Sequence, residues 1–400
     1  MTIHTQWMTI LRQDASDAFT HAPQSPVHAS FIDGQIKLMK SDAIQTWSHF
    51  LYSQFSSVIM RHFREYGCRT VVLAFDDKKH VPRAKAITQL KRRAGVNIIE
   101  FHENDTLPDT IPDWKEAIMN PHFKHKVIQL IVQNVPRLVD PPQGCKLIVD
   151  WEDIDVYEYG EGEPVVTTMT LPHVKVGEAD IKFAQWMQHL LCPMLLEATD
   201  GDYIPIAMGL KTMDIDHPIT ILKGYREKDG GLEFIDIDRL HGIIQRTFRR
   251  AARGQDPGQW WEIKLFIVLL GFAGTDFTRN LPLVSPNKIW AALPLVIRTF
   301  AMENHDHVHI PQGKRLVELL YSETYPKHID PFSRTSIHEQ AQGSKLSERY
   351  KALIPTDERI VCTLKNINFL LAYWLHFQPP ADITAYGFRI GRTGAVEWDD

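Results

Sequence analysis

Hydrophobic and polar positions along this chain switch repeatedly between two periodicities, and the switches outline its elements. Between residues 42 and 66, Trp47, Phe50, Leu51, Phe55, Val58, Ile59 and Phe63 recur at helical spacing until Gly67 ends the run. Thr70-Val-Val-Leu-Ala-Phe75 is then continuously apolar, the mark of a strand buried on both faces. Ala29–Asp33, Lys146–Asp150 and Met194–Thr199 read as further short strands, with Asn97–Phe101 as another candidate. Helical spacing is expected over 83–94, 114–134 and 178–191, whereas 14–30 is polar, with two prolines, and reads as a loop. Tyr203–Leu210 fits either the start of a helix or a further strand. An acidic, aromatic segment running to Met169 reads as a hairpin around Gly160-Glu-Gly162, and Ile219–Leu222 pairs with Leu232–Ile237 around Lys228-Asp-Gly-Gly231. From 239 onward the pattern is mostly helical, closing in a hairpin at Tyr386–Ile390 and Ala395–Trp398. Buried strands alternating with helices imply an α/β fold with a largely parallel sheet flanked by helices. The chain divides into a core over residues 1–290 and a helical C-terminal region over 291–400.

Composition narrows the class without deciding it. The chain has 400 residues, 44% hydrophobic and 23% charged, as an ordinary globular protein does. A formal net charge of −5 means that no global positive field advertises a nucleic-acid partner. Cys68, Cys145, Cys192 and Cys362 are far apart with no CxxC pair, which argues against a zinc module or a disulfide framework. The segment MTIHTQWMTILRQD is not a signal peptide, and the richest apolar run, Ile263–Phe272, falls short of the ~18 residues a membrane span needs. A soluble intracellular protein of nucleus, cytoplasm or viral factory, with no membrane partner, is expected. No GxxxxGK[ST] phosphate loop is present.

The chemistry is carried by acidic residues at strand ends. Asp33 follows Ser-Phe-Ile, Asp76 follows Val-Val-Leu-Ala-Phe, and Asp200 and Asp202 follow Leu-Leu-Glu-Ala-Thr. In an open parallel sheet the carboxyl ends of the strands line the ligand crevice, so these charges gather in one place. Glu178 and Asp180 open a helix, and Asp276 follows the apolar run 265–272. Clustered carboxylates repel unless a cation neutralises them, and hard oxygen donors select Mg²⁺ or Mn²⁺ over zinc. Two such ions about 4 Å apart are the usual machinery of phosphodiester hydrolysis.

These segments, in this order, resemble the flap endonuclease and XPG-like 5′ nucleases within the PIN-like superfamily. Phe31-Ile-Asp33 looks like the first metal aspartate, and Phe75-Asp76 resembles the strand-end FD followed by a proline and a basic helix. Gly177-Glu-Ala-Asp180 is similar to the family's GEAE, Ala198-Thr-Asp-Gly-Asp202 to its AT-x-D-x-D, and Leu269-Leu-Gly to Asp276-Phe277 to its LLG-x-DY. The resemblance covers roughly residues 1–290 and implies a PIN-like nuclease core with a two-ion Mg²⁺ or Mn²⁺ site. It implies that Glu178, Asp180 and Asp200 sit nearest the metals, that Asp202 and Asp276 serve the second ion, and that Asp33 and Asp76 hold metal-bound waters. Lys85 and Arg92 are the implied phosphate-steering pair, in a basic stretch with Arg83, Lys91 and Arg93. The implied partner is nucleic acid, DNA ahead of RNA, cut at 5′ flaps, nicks or free 5′ ends. The run after Asp276, Phe-Thr-Arg-Asn-Leu-Pro282, looks instead like a segment of the 5′→3′ exoribonucleases, the alternative enzyme. A non-catalytic nucleic-acid-binding scaffold of the same fold is a second alternative. The divergence points to a lineage-specific or viral relative.

Two further clusters stand outside these motifs. Arg246, Arg249, Arg250 and Arg253 make a basic helix face that could grip a duplex backbone or stand solvated. His305, His307 and His309 alternate, and would share one face on a strand. The apolar stripe of Lys365–Trp374 reads as packing, and Trp260-Trp261 as core.

Overall fold

Among the described residues nine strands form one sheet in the order β1-β9-β8-β7-β2-β3-β4-β5-β6. They are β1 (Phe19–Thr20), β2 (Ala29–Asp33), β3 (Thr70–Ala74), β4 (Lys146–Asp150), β5 (Ile154–Glu158), β6 (Val165–Met169), β7 (Met194–Glu197), β8 (Ile219–Arg226) and β9 (Gly231–Asp236). The central five, β8-β7-β2-β3-β4, are parallel, and β5, β6, β9 and β1 extend the sheet antiparallel at its flanks. The computed structural model describes residues 3–39, 46–87, 97–110, 112–172, 175–226, 231–252, 261–299, 307–391 and 395–399.

Period-2 alternation along the central strands feeds two apolar layers. Phe31, Val72, Ala74, Ile148 and Leu196 face one side, where they pack with α1 (Ile3–Asp14), α6 (Ala179–Leu190), α7 (Tyr203–Lys211), α8 (Ile237–Ala252) and α9 (Trp261–Ala273). Ile32, Val71, Leu73, Leu147, Val149 and Leu195 face the other, against α3 (Ser57–Arg64), α4 (Trp114–Ile118) and α5 (Pro121–Leu138). A one-turn α2 (Gly34–Met39) follows β2. Burial on both faces explains why these strands read as continuous apolar runs.

Beyond residue 285 the chain is helical as expected, through α10 (Pro286–Ala291), α11 (Leu293–Thr299), α12 (Ile310–Thr324), α13 (Ile337–Gly343), α14 (Glu348–Lys351) and α15 (Asp357–His376). A hairpin of β10 (Phe388–Ile390) and β11 (Val396–Trp398) closes it. Ile367, Leu370, Leu371 and Trp374 of α15 belong to the same apolar cluster as Phe31 and Val72 of the sheet. Among the described residues no helix is long and apolar enough to cross a membrane.

Several local expectations are corrected. Asn97–Phe101 is not a strand: the carbonyls of Ile99 and Phe101 accept from the amide of Asn120, which also caps the start of α5. The 83–94 helix begins as a 3₁₀ turn at Arg83–Lys85, and residues 88–96 lie outside the described residues. Tyr203–Leu210 is helix, and the polar 14–30 loop contains the two-residue β1. His307 and His309 lie in no strand, with ring centroids 4.7 Å apart, and His305 is outside the described residues. None of the four cysteines, all among the described residues, forms a disulfide.

Candidate active site

In-register parallel pairing sets Asp33 beside Ala74 and Ala74 beside Asp150, so β2, β3 and β4 end at one level. Asp76 follows β3 by two residues, and Asp200 and Asp202 occupy the turn from β7 into α7. Two glycines make this edge possible. A Cβ at Gly34 would stand 2.4 Å from the Phe75 ring. At Gly177 it would meet the backbone nitrogen of Val81 at 2.2 Å and the carbonyl oxygen of Asp77 at 2.3 Å. The Asp77 amide donates to the Gly177 carbonyl at 2.7 Å, and the Gly177 amide to the His80 carbonyl at 3.1 Å. This clamp holds the segment after β3 against the start of α6, where the Ala179 amide donates to Asp76 Oδ1 at 3.1 Å.

Asp33, Asp76, Asp180, Asp200, Asp202 and Asp276 line one cavity of about 1110 Å³. Glu178 lies beneath it, 1% exposed, and accepts from Lys85 Nζ and from the Tyr373 hydroxyl, the latter at 2.5 Å. Asp33 Oδ2 accepts from the Tyr203 hydroxyl at 2.7 Å, while the amides of Gln35 and Ile36 donate to its Oδ1. Basic side chains line the same cavity. Lys78, Lys79, Arg83 and Lys85 come from the segment after β3, and His122, Lys124, His125 and Lys126 from the first turns of α5. Trp151 also lines the cavity, its ring 4.8 Å from that of His125.

Burial and mutual repulsion govern the acids. Desolvation, then the charge of Asp76, pushes the Asp33 carboxyl up to about 7. Asp180 is raised well above the carboxylate range by desolvation and Glu178, and Asp202 by desolvation, Asp200 and Asp276. Glu178 is raised by burial although Lys85 opposes it. Burial acts to lower Lys85, yet Glu178, Asp76, Asp180 and Asp276 outweigh it and keep the ammonium charged. A cluster of this kind gains stability from a cation, and its all-oxygen donors suit a hard divalent ion by their chemistry. Among the described residues, no group of three or more His, Cys, Asp or Glu side chains stands in an arrangement that could hold a metal ion.

Two other strand-end acids point elsewhere. Asp150 is tied into the core: Lys182 Nζ donates to its Oδ1 at 2.6 Å and Trp186 Nε1 to its Oδ2 at 2.8 Å. Glu197 alternates to the other face of the sheet, where Lys37, Arg61 at 2.8 Å and His62 at 2.6 Å surround it. Burial acts to raise Glu197, but the His62 hydrogen bond and the neighbouring cations hold it well below the carboxylate range. Both are structural pairs.

Of the residues singled out from sequence, six aspartates, Arg83 and Lys85 come together around the cavity, with Glu178 just below. Lys91, Arg92, Arg93 and Arg253 lie outside the described residues. Arg246, Arg249 and Arg250 of α8 do not line the cavity, and Arg249 pairs with the buried Glu262 of α9. Sequence reasoning missed the basic face of α5 and both tyrosines. Tyr203 had a signal, since it directly follows the Asp200-Gly-Asp202 segment. Tyr373 had none, and the helix read as packing alone delivers its hydroxyl to Glu178.

No protein-family model matches the sequence, and no curated protein matches it. Among solved structures the chain is similar to the catalytic core of Rad2 in complex with DNA substrate, at 14% identity and a TM-score of 0.37. That likeness covers 89% of this chain and 98% of that one. At that distance it assigns neither family nor activity.

Proposed function

We propose that this chain is a metal-dependent 5′ nuclease of the flap-endonuclease-like, PIN-like type. Its reaction is hydrolysis of phosphodiester bonds, with DNA flaps, nicks or free 5′ ends as first substrates. The observation that carries the reading is one cavity lined by six aspartates together with lysines, histidines and Arg83. The acids are the donor set for cations, and the basic lining suits a phosphate backbone. By the resemblance Glu178, Asp180 and Asp200 are the candidates for one Mg²⁺ or Mn²⁺ and Asp202 and Asp276 for a second, with Asp33 and Asp76 at the strand ends; these side chains would have to draw together from their present arrangement to hold the ions. When bound, such ions activate a water and offset charge on the phosphoryl oxygens.

The chain's own cations have separate tasks. Lys85, buried and charged beside Glu178, would meet negative charge developing on a phosphate at the acids. Arg83 stands two residues away on the same turn. Lys78, Lys79, Lys124 and Lys126 position the backbone without reading sequence.

A second reading comes from the sequence of the run after α9. Thr275 N–H donates to Thr278 Oγ1 at 2.9 Å and Leu281 N–H to the Phe272 carbonyl at 2.9 Å, closing a tight loop where Asp276 sits. That run is the one resembling 5′→3′ exoribonucleases, so RNA belongs among the substrates tested. The experiment is cleavage of 5′-labelled flap, nicked duplex and single-stranded DNA and RNA with Mn²⁺, beside Asp200→Asn. Metal-dependent cutting by the native chain, lost in the variant while binding persists, is expected. Tight binding without any cutting would replace the nuclease by a non-catalytic scaffold.

A further inference from the structure

The α15 helix touches the acidic site at two points that lie far apart in sequence. Tyr373 is fully buried, and its hydroxyl donates to Glu178 Oε2 at 2.5 Å, across 195 residues of chain. Its ring also meets Phe277, the residue after Asp276, edge-on at 5.4 Å between centroids. Phe369, one turn earlier on α15, packs on the same Phe277 at 5.4 Å. A Cβ at Gly271, in α9 before Asp276, would stand 2.7 Å from Ile367 Cγ1, so α15 and α9 approach as closely as a glycine allows. The helix therefore fixes Glu178 by a hydrogen bond and the Asp276 turn by an aromatic bracket.

We infer that Tyr373 is a positioning residue: it orients Glu178 and, through Phe277, sets Glu178 and Asp276 relative to one another, so that α15 is part of the metal-binding apparatus. The inference rests on the nuclease reading above. Glu178 has two carboxylate oxygens, and Lys85 engages Oε1 while Tyr373 engages Oε2. With one oxygen tied to a rigid phenol, the carboxylate cannot rotate, and the lone pairs left over are aimed rather than averaged. Hydrogen-bond partners of ligating carboxylates tune affinity in just this way, at about 10- to 100-fold for each partner lost.

The test measures Mn²⁺ binding by electron paramagnetic resonance without nucleic acid, together with steady-state cleavage kinetics. It compares the full chain with Tyr373→Phe, which deletes one hydroxyl and keeps the ring on Phe277. Tyr321→Phe is the structural control, because that buried hydroxyl donates to the Pro282 carbonyl at 2.6 Å and touches no acid of the site. Tyr373→Phe is expected to weaken Mn²⁺ binding about tenfold and to lower kcat with KM for the nucleic acid unchanged. Tyr321→Phe is expected to leave both as in the native chain. Native Mn²⁺ affinity and kcat in Tyr373→Phe, or an equal loss in Tyr321→Phe, would overturn the positioning role while leaving the nuclease reading intact. A native chain that neither binds Mn²⁺ nor cleaves would overturn both.

Discussion

Replacing Asp33 by Asn tests the electrostatics of the site without invoking catalysis. The carboxyl is 6% exposed and raised from an ordinary 3.8 to about 7 by desolvation and Asp76. Because the folded-state value lies above the unfolded one, the metal-free fold loses stability as pH rises from about 4 towards 7. The difference of about three pH units corresponds to roughly 4 kcal/mol at pH 8. Asparagine retains an oxygen for the amides of Gln35 and Ile36, and its NH₂ meets a Tyr203 hydroxyl that can turn to accept. A readjusted hydrogen bond offsets about 1 kcal/mol, leaving a net gain of about 3 kcal/mol for the variant. With about 2.1 cal/mol/K of unfolding entropy per residue over 400 residues, that is a rise in Tm of about 4 °C. The assay is thermal and urea denaturation in EDTA at pH 4 and pH 8. Asp33→Asn should fall about 1 kcal/mol below the native chain at pH 4, where only the readjusted hydrogen bond counts, and exceed it by about 3 kcal/mol at pH 8, with Mn²⁺ narrowing the gap at pH 8. An equal difference at both pH values would refute the argument, since only an ionisable burial penalty depends on pH in this way.

Gly177→Ala should cost about 3 kcal/mol or more in chemical denaturation, because its Cβ would meet the rigid backbone of residues 77–81 at 2.2–2.4 Å. Lys182→Met should destabilise by roughly 3–5 kcal/mol by stranding Asp150, and the added Asp150→Asn should recover most of the loss, as a double-mutant cycle would read. Lys79→Ala and Lys126→Ala should weaken nucleic-acid binding without sequence preference, each lowering the slope of log K against log salt by about one in fluorescence-anisotropy titrations.

Much of the site was legible in the sequence because it is set by local period and strand termini. Runs such as Thr70–Phe75 announce a strand buried on both faces, and the polar residue that ends each run must lie at the sheet edge. Asp33, Asp76, Asp200 and Asp202 were found that way, and parallel pairing in register then gathers them. Local position does not separate acids that share the same strand-end place but not the same neighbours. Asp150 and Glu197 also end strands, yet Lys182 and Trp186 claim the first, and Lys37, Arg61 and His62 the second. Neither fate is written near those residues, because it depends on which helix covers which face. The basic lining is of the same kind: α5 brings Lys124 and Lys126 to the cavity the acids line only once the sheet has formed. Tyr373 is the extreme case. Its position on an apolar helix signals burial, and burial was right; that its hydroxyl would find Glu178 was decided by how α15 packs on α9. Periodicity constrains the face a residue presents, and only tertiary packing supplies the partner that face meets.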